Sequence, residues 1–246
     1  MRTTEEARLN RLVGAAELLD GPLDDPDVLA GNLRDLRRVN RWFGGVALSR
    51  TAVDALVGRQ ADTGTAITLL DIGTGGADIP IALLAEWRRL ERRLDVTAVD
   101  SRSEVLLAAR LARPSIDQVR HLTMATADGR SLPYPDDSFD VVHSSLVLHH
   151  LDPPGAVAVL REMRRVSRRG VVINDLQRGR LYWWAARVLA LATTRNRFTR
   201  NDGPLSVRRA YTLGEALALI AVAGLRPIRV TRDRFGHRWA IAAVRT

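Results

Sequence analysis

Ala66-Ile67-Thr68-Leu69-Leu70-Asp71-Ile72-Gly73-Thr74-Gly75-Gly76-Ala77-Asp78 is the stretch whose reading decides the fold. Residues 66–71 form a nearly continuous apolar run, which suits a parallel strand buried on both faces. Glycines follow at once. They can take positive φ and let the backbone approach a ligand closely. A helical pattern begins at about Ile79. A dinucleotide-binding turn would read G-x-G-x-x-G. Its third glycine position holds Asp78, whose charge would repel a pyrophosphate at the helix start. No Gly-Lys-Ser/Thr occurs, so a triphosphate-binding P-loop is excluded.

Outward from this turn the pattern repeats. Residues 95–100 read as a second buried strand, and Asp100 ends it 27 positions after Gly73. Further strands are expected near 120–126, 139–144 and 170–174, with helices over about 79–94, 103–111 and 155–166 between them. Strands alternating with helices predict a doubly wound, mostly parallel α/β sheet. Residues 176–210 are helical, aromatic and rich in arginine, and a helix over 212–223 stops at Gly224. Strands 225–234 and 238–245 around Gly236 then close the sheet as a hairpin, giving seven strands. Ahead of the first strand, helical spacing recurs over 3–20, 27–41 and 46–58. The expected organisation is a helical cap over 1–62 and an α/β domain over 63–246 with an insertion at about 176–210.

Composition narrows the chemistry. The 246 residues include no cysteine, which removes disulfides, thiolate metal sites and cysteine nucleophiles. All 37 basic residues are arginine. Residues 1–160 carry 18 arginines against 23 acids, and residues 161–246 carry 19 against 5. That asymmetry suits either a solvated arginine surface or an anionic partner. The first residues lack the apolar core of a secretory signal. The apolar stretch 181–194 is interrupted by Arg187 and falls short of the about 20 residues a bilayer requires. A cytoplasmic protein is expected.

The most specific segment is Leu132-Pro133-Tyr134-Pro135-Asp136-Asp137-Ser138-Phe139-Asp140-Val141-Val142, leading into Leu148-His149-His150-Leu151. With Asp71-x-Gly73-x-Gly75, Asp100 and Asp128-Gly129 in the same order, it resembles the class I S-adenosylmethionine (SAM)-dependent methyltransferases over about residues 66–175. The nearest subgroup is that of the ubiquinone/menaquinone-type and polyketide-tailoring enzymes. Val39-Asn40-Arg41-Trp42 is weakly similar to the cap of that subgroup. Ala77 stands where the family has a third glycine, a position that a small residue still fits.

The resemblance implies a Rossmann-like domain with a helical cap and lid. It implies SAM as cofactor, with S-adenosylhomocysteine as product. Gly73 and Gly75 would pass beneath the methionyl part, Asp100 would hold the ribose, and Asp128 with Gly129 would meet the adenine. Ser144 and Ser145 would contact the methionyl amino end. Asp71, Thr74 and Ser101 complete the cofactor set. SAM carries no phosphate, so Asp78 does no harm.

An acceptor hydroxyl or enol-like carbon must lose a proton, and His149 or His150 near the cleft mouth suits that task. Asp152 lies close to both, yet adjacent residues of a strand point to opposite faces and no second ligand cluster supports them, so no metal is expected. Asn174 and Asp175 end the fifth strand, where ligands of such sheets bind, although either could instead cap a helix. In the insertion, Tyr182 and Trp183 could stack on an aromatic acceptor, and Arg178 could hold a carboxylate or phosphate. The expected activity is methyl transfer to O or C of a small phenolic, quinol-like or polyketide-like acceptor. An RNA methyltransferase using the basic half and a non-catalytic SAM-binding module are the alternatives. Nucleic acid is not the expected partner, because the segment after the fourth strand lacks the Asn/Asp-Pro-Pro-aromatic motif of base-amino methylation. Peripheral membrane contact through the 181–194 helix would suit a lipid quinone.

Overall fold

The computed structural model of the chain describes residues 9–58 and 64–246. One sheet runs β1 (Ile67–Ile72), β2 (Leu94–Asp100), β3 (Leu122–Thr126), β4 (Phe139–Ser145), β5 (Ser167–Leu176), β6 (Leu225–Arg232) and β7 (Arg238–Arg245), in the spatial order β3-β2-β1-β4-β5-β7-β6. The first five strands are parallel, and β7 lies antiparallel between β5 and β6. The winding reverses at β1, which has β2 on one side and β4 on the other. Ligands of such sheets bind outside the carboxyl ends of the strands at that reversal.

The helices are α1 (Pro26–Trp42), α2 (Gly45–Val57), α3 (Asp78–Arg89), α4 (Ser103–Ala112), α5 (Pro153–Val166), α6 (Arg180–Thr193), α7 (Arg197–Arg209) and α8 (Leu213–Val222). Side chains alternate across a strand, so β1 feeds two cores. Ile67 and Leu69 pack with Leu29 of α1, Val53 of α2, Leu83 of α3 and Ala108 of α4. Leu70 and Ile72 pack on the opposite face with Leu160 of α5 and Ile220 of α8. The two helices ahead of β1 thus share a core with α3 and α4. Gly170 in β5 has φ +154°, and a Cβ there would fall on the backbone of Ala243 in β7, so only glycine fits.

Three expected boundaries move. Residues 3–8 of the helix expected over 3–20 lie outside the described residues. Over the remainder the chain forms only a 3-10 turn, Leu18–Asp20. Tertiary hydrogen bonds replace the helical ones: Leu12 N–H donates to Arg208 O at 3.0 Å, and the Arg11 guanidinium donates to Arg209 O at 2.7 Å and Leu151 O at 2.8 Å. The helix after the glycine turn stops at Arg89, because Glu91 takes a left-handed φ of 56°. The insertion is two helices, since Asn196 caps α7 by accepting from the N–H groups of Phe198 and Thr199.

The diagnostic Leu132–Asp140 segment proves to be scaffold. The Arg165 guanidinium donates to the carbonyls of Tyr134 and Leu132, and Glu162 accepts from Leu132 N–H at 2.9 Å. Asp140 accepts from Thr68 N–H at 3.0 Å and from the guanidinia of Arg168 and Arg169 at 3.2 and 3.1 Å. Burial works to raise the Asp140 pKa, but these hydrogen bonds outweigh it and bring it down from 3.8 to about 2. A depressed carboxylate pKa contributes stability that is present above its unfolded value and lost as pH falls through the folded one. The urea midpoint is therefore expected to fall as pH drops from about 4 to about 2. Asp140→Asn should be less stable near neutrality and show a shallower acid decline. An unchanged decline in that variant would assign the acid sensitivity to other groups.

Candidate active site at the carboxyl edge of the sheet

The turn after β1 is pinned by β2. Thr74 N–H donates to Val99 O at 2.9 Å, and Gly75 N–H donates to Asp100 Oδ2 at 3.0 Å. The other Asp100 oxygen accepts from Arg102 N–H at 3.2 Å. Burial raises the Asp100 pKa against the pull of these two N–H groups. Gly73 and Gly75 have φ +68° and +53°, and a Cβ on Gly73 would fall on Val147. Ala77 also sits left-handed, at φ 50°, and is fully buried; that conformation costs an alanine about 1–2 kcal/mol. The side chain of Arg102 reaches over to the carbonyls of Gly21, at 2.6 Å, and Leu19, at 3.3 Å, and so holds the N-terminal segment across the end of β2.

Beneath the turn lies a chain of buried polar groups. His143 Nδ1 meets Asp71 Oδ1 at 2.5 Å, and its Nε2 meets Ser49 Oγ at 2.8 Å. Asn174 Nδ2 donates to Ser49 Oγ at 2.7 Å and to Gly45 O at 2.8 Å. The wholly buried Arg238 donates to Asn174 Oδ1, Asn40 Oδ1 and Ser145 Oγ at 2.6, 2.7 and 2.8 Å. Asn40, Asp71, Thr74, Asp78 and Ser145 line a cavity of about 30 Å³. Thr74 Oγ1 and Asp78 Oδ2 are buried there without hydrogen-bond partners. Burial raises the pKa of Asp78, against the hydrogen bond from Asn40.

A second cluster stands after β4. His149 and His150 lie in a 3-10 turn, Leu148–His150. Asp175, at the end of β5, holds His149 through Nδ1 at 2.7 Å and through the backbone N–H at 3.1 Å. Asp20 holds His150 Nδ1 at 2.8 Å. Glu17, 3% exposed, faces both rings from the N-terminal segment. Burial pushes the Glu17 carboxyl up to about 7, against the pull of His150 and Arg209. Asp175 moves the other way: burial would raise it, and the His149 charge and hydrogen bond bring it down.

The glycine turn and the acid that ends β2 both fall within the segment that known proteins match. The methyltransferase domain family matches residues 70–173. A malonyl-[acyl-carrier protein] O-methyltransferase of Halorhodospira halophila is 38% identical over 100 residues, which cover 40% of this chain and 30% of that protein. A ubiquinone/menaquinone biosynthesis C-methyltransferase of Rickettsia massiliae is 31% identical over 100 residues, 41% of this chain and 40% of that one. Residues 70–173 thus carry a methyltransferase domain. The chain spans less than half the length of these two curated relatives. Human N-acetylserotonin methyltransferase, solved with SAM, shares the fold at a TM-score of 0.67 and 16% identity, over 95% of this chain and 60% of that one.

The expected site residues divide into groups. Asp71, Gly73, Thr74, Gly75 and Asp100 gather around the turn. Ser145 lines the cavity, whereas the Ser144 hydroxyl is buried and donates to Ile72 O at 3.1 Å. Ser101 is exposed after β2. Asp128 is exposed and paired with Arg130 at 2.9 Å. Gly129 packs against Ile72, which a Cβ would approach to 2.7 Å. Asn174 belongs to the buried polar chain and Asp175 to the histidine cluster. In the insertion, Tyr182 donates to Phe235 O at 3.3 Å and Trp183 packs edge-on against Trp184. Arg178 binds Glu215 through two oxygens and donates to Leu9 O and Ala210 O. Asp152 caps α5 and stands apart from the histidine cluster.

The sequence reading missed Glu17, Asp20 and Arg238. Two of them carried a signal. Glu17 is an acid inside Ala15-Ala16-Glu17-Leu18-Leu19, and Arg238 stands at the head of the apolar strand that continues Trp239-Ala240-Ile241. A lone charge in an apolar run marks a buried, partnered group.

Proposed function

We propose that the chain transfers a methyl group from SAM to an oxygen or carbon atom of a small acceptor. The observation that carries this reading is the Gly73–Gly75 turn held against Asp100 at the winding reversal. The residues present fit the cofactor. A cradle that a Cβ at Gly73 would fill lies beside unpartnered Thr74 Oγ1 and Asp78 Oδ2. Those atoms, with Asp71 and Ser145, suit an amino-acid end, and Asp100 suits a ribose. Asp128 and Gly129 would take the adenine. The cavity has room for about two waters, so binding requires Val147 beside Gly73, and Leu33 beside Gly75 and Gly76, to yield.

Bound SAM supplies a methyl carbon already activated on a sulfonium. The chain must align the acceptor and take its proton. Either His149 or His150, each held through Nδ1 by a carboxylate, would take that proton at Nε2. The names of the relatives favour an acyl thioester or quinol-like acceptor. The experiment is transfer of labelled methyl from SAM to a panel of thioesters, quinols and phenols, beside a calorimetric titration with SAM. SAM binding with label in one acceptor class supports the reading. Binding without label on any acceptor favours a non-catalytic module, and no SAM binding overturns both.

A membrane-associated acceptor is favoured by α6. Leu181, Trp184, Val188 and Leu191 are 76, 57, 61 and 52% exposed, at the spacing of one helix face. Among the described residues no helix is long and apolar enough to cross a membrane, so the contact would be peripheral. Co-sedimentation with anionic vesicles, reduced in Trp184→Ser, is the expected result. Failure at every lipid composition would confine the acceptor to solution.

A further inference from the structure

We propose that Glu17, His149 and His150 form a binding site for a divalent transition-metal ion of the zinc type. This goes beyond methyl transfer and does not rest on it; an ion here would occupy the Nε2 atoms, and the acceptor's proton would then go elsewhere. The three side chains offer ligand atoms that all lie within 4.8 Å of one another. His149 Nε2 stands 3.7 Å from one Glu17 oxygen, and His150 Nε2 stands 3.7 Å from the other. These distances are too long for hydrogen bonds. Two ligands about 2.1 Å from one tetrahedral zinc are themselves about 3.4 Å apart, close to the separation observed.

Three independent features point the same way. The first is the outer contacts of the imidazoles. A metal-bound histidine almost always donates its other ring N–H to a carboxylate or carbonyl. Here both do so, His149 to Asp175 at 2.7 Å and His150 to Asp20 at 2.8 Å, which leaves both Nε2 lone pairs facing Glu17. The second is an orphan: Glu17 Oε1 is buried without a hydrogen-bond partner, on a side chain 2% exposed and aimed between the rings. The third is charge. Three carboxylates, Glu17, Asp20 and Asp175, crowd the two imidazoles; Arg209 lies 3.4 Å from Glu17 Oε1 and 2.5 Å from Asp20 Oδ2, and Asp175 feels the charge of Arg238. Asp202, nearby, is occupied by the N–H groups of Leu18 and Leu19.

The expectation of no metal rested on neighbouring residues of a strand pointing apart. The histidines instead occupy a 3-10 turn, and their rings lie 4.3 Å apart and tilted by 34°. Two imidazoles and a carboxylate are a donor set suited to zinc. His150 is 26% exposed, so the cluster reaches solvent. An ion here would tie the N-terminal segment to the loop after β4.

The test is titration of the metal-free full chain with Co²⁺, read by visible ligand-field absorption, then displacement by Zn²⁺. One equivalent of cobalt is expected, with Zn²⁺ raising the unfolding temperature. Glu17→Gln and His150→Ala should lose the absorption. Asp20→Asn should weaken binding by about 10–100-fold while keeping the spectrum. Should Glu17→Gln fail to fold, the more exposed His150→Ala carries the test. No absorption at millimolar cobalt, or an unchanged spectrum in His150→Ala, overturns the proposal. Neither SAM nor an acceptor enters the measurement, so its failure is separate from failure of the methyl-transfer reading.

Discussion

Asp100→Asn is expected to weaken SAM binding by about 100-fold or more while leaving the chain folded. The carboxylate ends β2 beside the glycine turn and is partly exposed. A ribose offers two hydroxyl donors to it. Hydrogen bonds to a charged acceptor contribute about 1.5–3 kcal/mol each, so loss of the charge and of one acceptor removes about 3 kcal/mol, or two decades of affinity. Asparagine keeps the shape and one carbonyl oxygen, which can still accept from Gly75 N–H. The second acceptor, toward Arg102 N–H, is lost at the cost of about 1 kcal/mol of stability. Calorimetry with SAM and a urea titration of both proteins separate the two effects. Affinity within a few-fold of the parent, at similar stability, would remove Asp100 from the cofactor site. Loss of binding together with a collapsed urea midpoint would identify its role as holding the turn.

The doubly wound sheet was legible because buried parallel strands announce themselves as short apolar runs, and β1, β2 and β4 are such runs. The glycine turn was legible because positive φ at Gly73 and Gly75 demands glycine. Boundaries were less so. Whether residues 9–17 form a helix depends on Arg208, Arg209 and Leu151, which lie far along the chain and supply the competing hydrogen-bond partners. The histidine pair was visible, but its surroundings were not. Glu17 and Asp20 precede it by about 130 residues, and nothing in either segment's local pattern says that they meet. The same holds for Arg178, expected to hold a substrate carboxylate or phosphate and found in a bidentate contact with Glu215. Arginine reads identically in sequence whether it awaits a substrate or closes a fold.

Arg238→Met is expected to destabilise the protein by about 3–5 kcal/mol, the cost of breaking a buried charged network by removing one partner. The guanidinium is fully buried at the start of β7, and its donors satisfy Asn174 Oδ1, Asn40 Oδ1 and Ser145 Oγ at once. Burial depresses its pKa to about 10, although Asp175, Asp78 and Asp233 favour the charged form. Methionine fills much of the volume but donates nothing, so three oxygens lose their donor and Asp175, Asp78 and Asp233 lose a nearby positive charge. Total stabilities run to about 5–15 kcal/mol, so a large share of the margin is at stake. The urea midpoint is the measurement. Arg238→Lys should fall between the two, keeping the charge and losing the planar fork. A loss below about 1 kcal/mol in Arg238→Met would mean that water or a rearranged Asn174 replaces the guanidinium. Ser145 and Asn40 line the cavity beneath the glycine turn. Where the variant still folds, its SAM affinity should therefore drop as well. One buried arginine of the C-terminal hairpin would then set both the stability of the sheet edge and the shape of the cofactor floor.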